Sequence, residues 1–207
     1  GDEVGSLGVA DALRDAHPGA IYHHQGTTYE VVDLDLRRDV AELQPARVDY
    51  YTQVLHDKEI TVEDDREAGE LPAVPEATLR FADVTMRKQI TGFERRDRSS
   101  GEVIAREPLE LPETTLETEA LYWTVPPDLE SALRTQGDFE GGIHAAEHAV
   151  ISLFSLHLLC DRRDVGGLST PHHPHTGEST VFVYDGHPGG VGLARGGFDR
   201  VETLMGE

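Results

Sequence analysis

The sequence predicts an α+β protein, in which a small, curved antiparallel β domain precedes an α+β unit built on one long buried helix. Residues 1–112 contain short segments of alternating apolar and polar residues separated by turn signals, as antiparallel strands do. Residues 139–160 form the one long segment whose apolar residues recur at intervals of three and four. We therefore expect a β-rich domain at residues 1–112 and an α+β unit, with the long helix, a hairpin and a glycine-rich turn, at residues 113–207.

Alternation and turn residues place the strands of the predicted β domain. Gln25-Gly26 is a tight-turn signal between strands at residues 20–24 and 27–36. Further strands are expected at residues 40–51, 57–62, 79–84, 86–96 and 102–106. The acidic stretch 63–75 contains Gly and Pro, so we expect an exposed loop or linker there.

The second unit is predicted to begin with an alternating strand at residues 114–125. Pro126-Pro127 ends that strand, and Pro127 is well placed to open a short helix at residues 128–135. After the long helix, a hairpin is expected with arms at 167–173 and 179–185, followed by a glycine-rich turn and the start of a helix at 198–205. The long helix is apolar nearly all round, which favours burial.

Composition limits the function classes. The chain has 18 basic and 39 acidic residues, a net charge of −21, and only two lysines. Such a surface is typical of a protein kept soluble in concentrated salt, or of an acidic protein from an ordinary habitat. At face value, this charge argues against non-specific nucleic-acid binding. Residue 1 is Gly, and the absence of a signal peptide or an eighteen-residue apolar run predicts a soluble piece of a longer protein without membrane association.

The single cysteine, Cys160, limits redox and metal chemistry. One thiol allows neither an internal disulfide nor a thiolate zinc cage, which fits a reducing cytoplasm. Cys160 closes the apolar helix, where a packing role is favoured over a nucleophile.

The first turns of the predicted long helix carry His144, Glu147 and His148. Their spacing matches the inverted zincin pattern, in which two His bind zinc and Glu147 would activate the metal-bound water. A third ligand would have to come from Glu178, Glu202 or Glu207, none of which lies in a convincing helical segment. The favoured alternative is a polar corner of a helix that satisfies buried partners.

Three other groups of residues are candidates for binding. The turn that follows Tyr184 and Asp185 contains Gly186, Gly189 and Gly190, and could cradle a phosphate or simply pack closely. A second histidine cluster, His172, His173, His175 and His187, is expected in exposed turns. Basic residues that could grip phosphates or pair with carboxylates are Arg87, Lys88, Arg95, Arg96, Arg98, Arg162 and Arg163.

Six motifs, taken in order, resemble one family. They lie at residues 18–31, 48–52, 118–121, 144–149, 159–167 and 184–192, and include His144-Ala-Ala-Glu147-His148-Ala149 and Leu159-Cys160-Asp161-Arg162. The chain resembles the C-terminal region of DEAD/DEAH-box superfamily 2 DNA helicases of the mitomycin repair factor and fungal RecQ-four-like type, a domain of unknown function that binds zinc in relatives. The structural motif residues are His144, Glu147, His148, Cys160, Asp161, Tyr184, Asp185, Gly186, Gly189 and Gly190.

The resemblance implies a function for the parent and a role for this chain. The parent would be an ATP-dependent 3′ to 5′ helicase of DNA repair, with ATP and Mg bound by motor lobes that precede residue 1. The chain would be a non-catalytic accessory module without a cofactor of its own, contacting DNA, single-stranded DNA in particular, and the motor lobes of the same polypeptide. Zinc is expected only if the four-cysteine cluster of the family follows, because Cys160 is the only cysteine in this sequence.

Overall fold

The computed structural model describes residues 3–71 and 74–201. Its helices are α1 (Val9–Asp15), α2 (Pro127–Arg134), α3 (Phe139–His157), α4 (Leu193–Phe198) and a 3₁₀ turn (Arg162–Asp164). Its strands are β1 (Ile21–His24), β2 (Thr27–Asp35), β3 (Val40–Pro45), β4 (Tyr50–Gly69), β5 (Leu79–Asp97), β6 (Val103–Pro108), β7 (Thr114–Val125), β8 (Val165–Thr170) and β9 (Ser179–Asp185). The α+β class predicted from the sequence is confirmed. No helix of the described segments is long and apolar enough to cross a membrane.

The chain forms two compact units that are not consecutive in sequence. The first comprises the chain up to Asp57 together with Lys88–Thr114, and the second comprises Lys58–Arg87 together with the chain from Thr115 onward. The sequence analysis placed a single boundary between residues 112 and 113. The difference arises because β4 and β5 are long strands whose two halves belong to different units, which local patterns do not reveal.

The first unit contains an antiparallel sheet in the order β1-β2-β3. Tyr22 pairs with Tyr29 in its first hairpin, and the register shifts between Val31 and Asp33. Helix α1, which the sequence analysis did not predict, packs here, and its residue Leu13 is buried. Strand β6 pairs with the second half of β5, from Gly92 onward.

The second unit contains a sheet in the order β4-β5-β7-β9-β8. Every residue of β9, an interior strand between β7 and β8, is buried. Because side chains alternate along a strand, β9 contributes to two hydrophobic clusters. Val181 and Val183 pack in the cluster that contains Phe154 of α3, while Phe182 and Tyr184 pack in the cluster that contains Tyr122. The sheet therefore presents one face to α3, and this contact positions the candidate site.

Strand β4 is longer than the sequence predicts. A weak strand at residues 57–62 and a loop at 63–75 were expected, whereas β4 continues to Gly69. Its charged residues find partners across the sheet: the Tyr122 hydroxyl donates to Asp65, and Arg66 pairs with Asp83. A charge-rich stretch can therefore be a strand when neighbouring strands supply counter-charges.

Helix α3 starts at the expected residue, ends at His157 rather than at Cys160, and is buried on one side rather than all round. It begins at Phe139, and the Asp138 carboxylate caps it by accepting from the Gly141 amide. Its buried face carries Ile143, Val150 and Phe154. Its outer face, which includes Ala145, Ala149 and Leu156, is exposed because the sheet covers only one side.

The last helix also differs from the expectation of a helix at 198–205. Helix α4 spans Leu193–Phe198, and residue 201 is again helical. Residues 202–205 of the expected segment lie outside the described residues.

Candidate functional site

His144, Glu147 and His148 lie together on the N-terminal half of α3, at the edge of its buried face. Both histidines are exposed, whereas Glu147 is buried. The two Nε2 atoms are 3.1 Å apart, and His144 Nδ1 lies 3.2 Å from Glu147 Oε2. Within the described parts of the chain, this is the one group whose donor atoms could share a metal ion.

The neighbours of this group determine where its protons lie. The Arg162 guanidinium, which can only donate, lies 2.8 Å from His148 Nδ1, so this nitrogen must accept. The Glu147 carboxylate can only accept, so His144 Nδ1 must carry a proton. His148 then carries its proton on Nε2 and donates to His144 Nε2. The result is a one-directional chain of hydrogen bonds from Arg162 through His148 and His144 to Glu147.

The Glu147 side chain packs against Gly167 of strand β8. A β-carbon on Gly167 would lie 2.5 Å from Glu147 Oε1, so only glycine permits this approach. Lys58 Nζ donates to the Gly167 carbonyl at 2.9 Å and lies 5.5 Å from the centre of the Tyr184 ring. Burial lowers the pKa of Lys58, and the negative charge of Glu147 opposes that shift. Burial, with a smaller contribution from Glu147, raises the pKa of Tyr184 to about 12.

We expect the two imidazoles to be opposite tautomers when both are neutral. At about pH 8.5, above the ordinary imidazole pKa, long-range ¹H–¹⁵N spectra should show His144 protonated at Nδ1 and His148 at Nε2. Arg162→Ala should weaken the tautomer preference of His148, which would then rest on its hydrogen bond to His144 Nε2 alone, and should leave the tautomer of His144 unchanged. Finding both residues in the same tautomer would contradict the hydrogen-bond chain.

The inverted zincin interpretation gains no third protein ligand from the described residues. Glu178 is not part of the donor group, and Glu202 and Glu207 lie outside the described residues. Glu147 is buried and hydrogen-bonded to His144, an arrangement that suits orienting an imidazole better than activating a water.

The glycine-rich turn is organised around a carboxylate of the protein itself. Asp185 is fully buried, and its Oδ2 accepts from the amides of Val191 and Leu193 at 2.7 and 3.1 Å. Its Oδ1 accepts from the His187 amide at 3.2 Å. These amides are the groups that a phosphate would need, so the turn is closed by Asp185 rather than open to an anion.

Several of the predicted basic residues are neutralised in place. Arg96 binds Glu94 at 2.6 Å, and Arg95 binds Glu107 at 2.9 Å. The neighbouring Arg106 also binds Glu94, a carboxylate that is buried between the two guanidinium groups. Hydrogen bonds from Arg106 and Arg96 lower the pKa of Glu94. The positive charge of this strand pair is therefore largely balanced.

The other predicted basic residues differ in their surroundings. Arg98 donates to His23 Nε2 at 3.0 Å, and Arg162 donates to His148, so each contacts a neutral acceptor rather than a carboxylate. Arg163 is exposed, and its guanidinium makes no hydrogen bond within the described segments. Arg87 is exposed and Lys88 half-buried, and their role in DNA binding stays a prediction.

Sequence reasoning missed the structural use of the second histidine cluster. His173 is buried and bonds to the Ile60 carbonyl at 2.9 Å, while His175 binds Asp65 at 3.0 Å. Burial lowers the pKa of His173. These contacts tie the β8–β9 connection to β4, a pairing between distant segments that no local pattern signals.

Comparisons with known proteins agree with this architecture. Residues 146–207 match the family model of the MrfA Zn-binding domain. The chain is 30% identical over 202 residues to the uncharacterized ATP-dependent helicase YprA of Bacillus subtilis, covering 97% of this chain and 26% of that protein. A crystal structure of the DUF1998 helicase MrfA bound to DNA matches with a TM-score of 0.64 and 27% identity, covering 94% of this chain and 25% of that one.

The chain is a relative of the MrfA helicases. This confirms the family resemblance inferred from the sequence. A second MrfA structure, bound to DNA and AMPPNP, matches with a TM-score of 0.57 and 27% identity over 94% of this chain and 23% of that one. An uncharacterized protein of Methanocaldococcus jannaschii, MJ1572.1, is 32% identical over 66 residues, which is 30% of this chain and 59% of that protein. The chain thus spans about a quarter of the MrfA and YprA chains, 25% and 26%.

The matching family model describes a zinc-binding domain, so we asked whether the described residues of this chain could hold zinc. The matched stretch contains one thiol, that of half-buried Cys160, whose pKa is raised by burial and by the charge of Asp164. A thiolate cage cannot be built from it. The donors that do lie together, His144, Glu147 and His148, are imidazoles and a carboxylate, which zinc also accepts.

Asp161, which follows Cys160, has a structural role in this MrfA relative. Asp161 caps the 3₁₀ turn by accepting from the Arg163 amide, and Asp164 accepts from the Asp161 amide in return. This reciprocal cap fixes the entry into β8, which begins at Val165.

Proposed function

We propose that this chain is a non-catalytic accessory part of an ATP-dependent 3′ to 5′ DNA helicase that serves DNA repair. In this role it helps to bind DNA, single-stranded DNA in particular, and to position the motor lobes. The observation that carries the proposal is the match of 94% of the chain to an MrfA structure bound to DNA. The match of 97% of the chain to an ATP-dependent helicase supports the same parent activity.

The surroundings of the polar groups support a non-catalytic role. In the candidate site, Arg162, His148, His144 and Glu147 are linked in a linear chain of hydrogen bonds. In the glycine-rich turn, Asp185 occupies the amides that could otherwise bind a phosphate. Both arrangements use polar groups to hold the fold.

The proposed DNA contacts are the guanidinium groups that the protein does not neutralise. Arg98 in the first unit contacts His23, and Arg163 in the second is exposed. Phosphate contacts from such residues supply most of the affinity for single-stranded nucleic acid. The net charge of −21 opposes approach of DNA, so binding by the isolated chain should be weak and salt-dependent.

The exposed apolar surface of the second unit supports a role in positioning the motor. A groove of about 660 Å³ lies beside α2 and α3, with Leu129, Leu133, Trp123 and Phe139 in its lining. Leu156, on the outer face of α3, is 67% exposed. We take the occupant to be the remainder of the same polypeptide, since this chain spans only about a quarter, 26%, of the related helicase.

Removing the charge of an arginine that is not bound to a carboxylate should weaken DNA binding more than removing the charge of one that is. Arg98→Gln and Arg163→Gln should each lower affinity for a fluorescent single strand several-fold and reduce the salt slope by about 0.7. The matched controls are Arg14→Gln and Arg134→Gln, which remove the same charge from residues bound to carboxylates. Fluorescence anisotropy over a salt series measures both quantities.

Two outcomes would count against this assignment. If the controls lose as much affinity as the test variants, net charge rather than these two arginines governs binding. If the folded chain binds no DNA even at low salt, the DNA role fails. Tight binding to the separate motor lobes would then leave the positioning role alone.

A further inference from the structure

We propose that His144 and His148 form a binding site for a divalent transition-metal ion such as zinc, with Glu147 as the residue that orients His144. The ion would bind through the two Nε2 atoms. This proposal does not depend on the helicase role, because it rests on the geometry of α3 and its neighbours.

The spacing of the two imidazoles fits a shared ion. Residues four apart lie on the same side of a helix, and the rings of His144 and His148 have centroids 4.4 Å apart. Their Nε2 atoms are separated by 3.1 Å. Two imidazole nitrogens on a tetrahedral zinc at the usual bond length are about 3.3 Å apart. The helix therefore presents both donors close to their bound separation.

The surroundings of His144 are those of a metal ligand. A metal-bound imidazole usually donates its other N–H to a carboxylate, which fixes the ring and its tautomer. His144 Nδ1 faces the buried Glu147 carboxylate at 3.2 Å, and Ser169 Oγ lies 3.4 Å from the same nitrogen. His144 Nε2 is thus already in the tautomer that offers its lone pair to an ion.

The surroundings of His148 oppose metal binding. Arg162 donates to His148 Nδ1, so the proton of this ring lies on Nε2, the atom that would bind the ion. Binding requires the proton to move to Nδ1, where it would face a guanidinium that can only donate. Arg162 must therefore release His148 when the ion enters. Because Arg162 is exposed, it can turn into solvent.

The site should be open rather than a closed cage. The side chain of His144 is 60% exposed, and both imidazoles face solvent. The protein supplies two ligands, and water completes the coordination. Imidazole donors favour zinc, copper and nickel over calcium or magnesium.

Calorimetric titration with Zn²⁺ tests the site through four variants of the full chain. Wild type should bind one ion, and His144→Ala and His148→Ala should each abolish that binding. Arg162→Ala should bind about tenfold more tightly, the size of effect that an outer-shell partner typically has. His172→Ala removes an exposed histidine outside the site and should leave the affinity unchanged.

The tautomer of His148 gives an independent readout. On addition of Zn²⁺, ¹H–¹⁵N spectra should show its proton moving from Nε2 to Nδ1, while His144 keeps its proton on Nδ1. Thermal unfolding without metal checks that each variant is folded.

Three results would overturn the proposal. The first is that neither wild type nor Arg162→Ala binds Zn²⁺. The second is that His148→Ala still binds the ion. The third is that Arg162→Ala binds Zn²⁺ more weakly than wild type does. The last would mean that Arg162 supports the site instead of competing with it.

Discussion

Replacing Asp185 by Asn is expected to lower the free energy of unfolding by about 3 kcal/mol. The buried carboxylate accepts hydrogen bonds from the amides of His187, Val191 and Leu193. Asparagine keeps one acceptor oxygen but turns an NH₂ group toward amides that also donate, so at least one amide loses its partner and the buried NH₂ group gains none. Urea unfolding followed by the fluorescence of Trp123 measures the change.

Asp199→Asn is the matched control for this substitution. Asp199 is exposed and pairs with Arg195 at 2.9 Å, so its loss should cost less than about 1 kcal/mol. If Asp185→Asn were as mild as Asp199→Asn, the carboxylate would not be what holds the glycine-rich turn. A phosphate-binding role for those amides would then be open again.

Replacing Gly197 by Ala is also expected to destabilise the protein by about 3 kcal/mol. Gly197 is buried in α4, and a β-carbon there would overlap the ring of Phe154, which is itself fully buried. Relief would require α4 or the Phe154 ring to move within a packed core. Urea unfolding measures this loss as well.

Gly142→Ala makes the same chemical change where space is available. Gly142 lies within α3, and nothing lies within 4 Å of the position that a β-carbon would occupy. Alanine should stabilise the helix there by about 0.5 to 1 kcal/mol, because it restricts the unfolded chain and favours helix. Effects of the same sign at both positions would contradict the packing of α4 against α3.

The structure changes the interpretation of the helix motif. Read alone, His144, Glu147 and His148 suggest a hydrolase. In the structure, Glu147 contacts Gly167 and orients His144, so Glu147 anchors α3 against β8. The metal site proposed above uses the exposed side of the same motif and requires no catalytic water.

Local patterns in the sequence determined a large part of this protein. Alternation placed β7, and the expected hairpin arm at 179–185 coincides with β9. The spacing of His144, Glu147 and His148 placed all three side chains near one another, since a helix brings residues three and four apart together. The ordered motifs also identified the family. These features depend on the period of the backbone or on the order of residues, and both are present in the sequence.

Tertiary structure decided what each polar residue does. It showed that Arg96 is neutralised by Glu94 while Arg98 contacts a histidine, and that Asp185 fills the glycine-rich turn. It also brought Lys58 to the site and left the outer face of α3 exposed. Such pairings depend on the register of strands far apart in sequence. That register follows from the packing of the whole sheet, which no local period specifies.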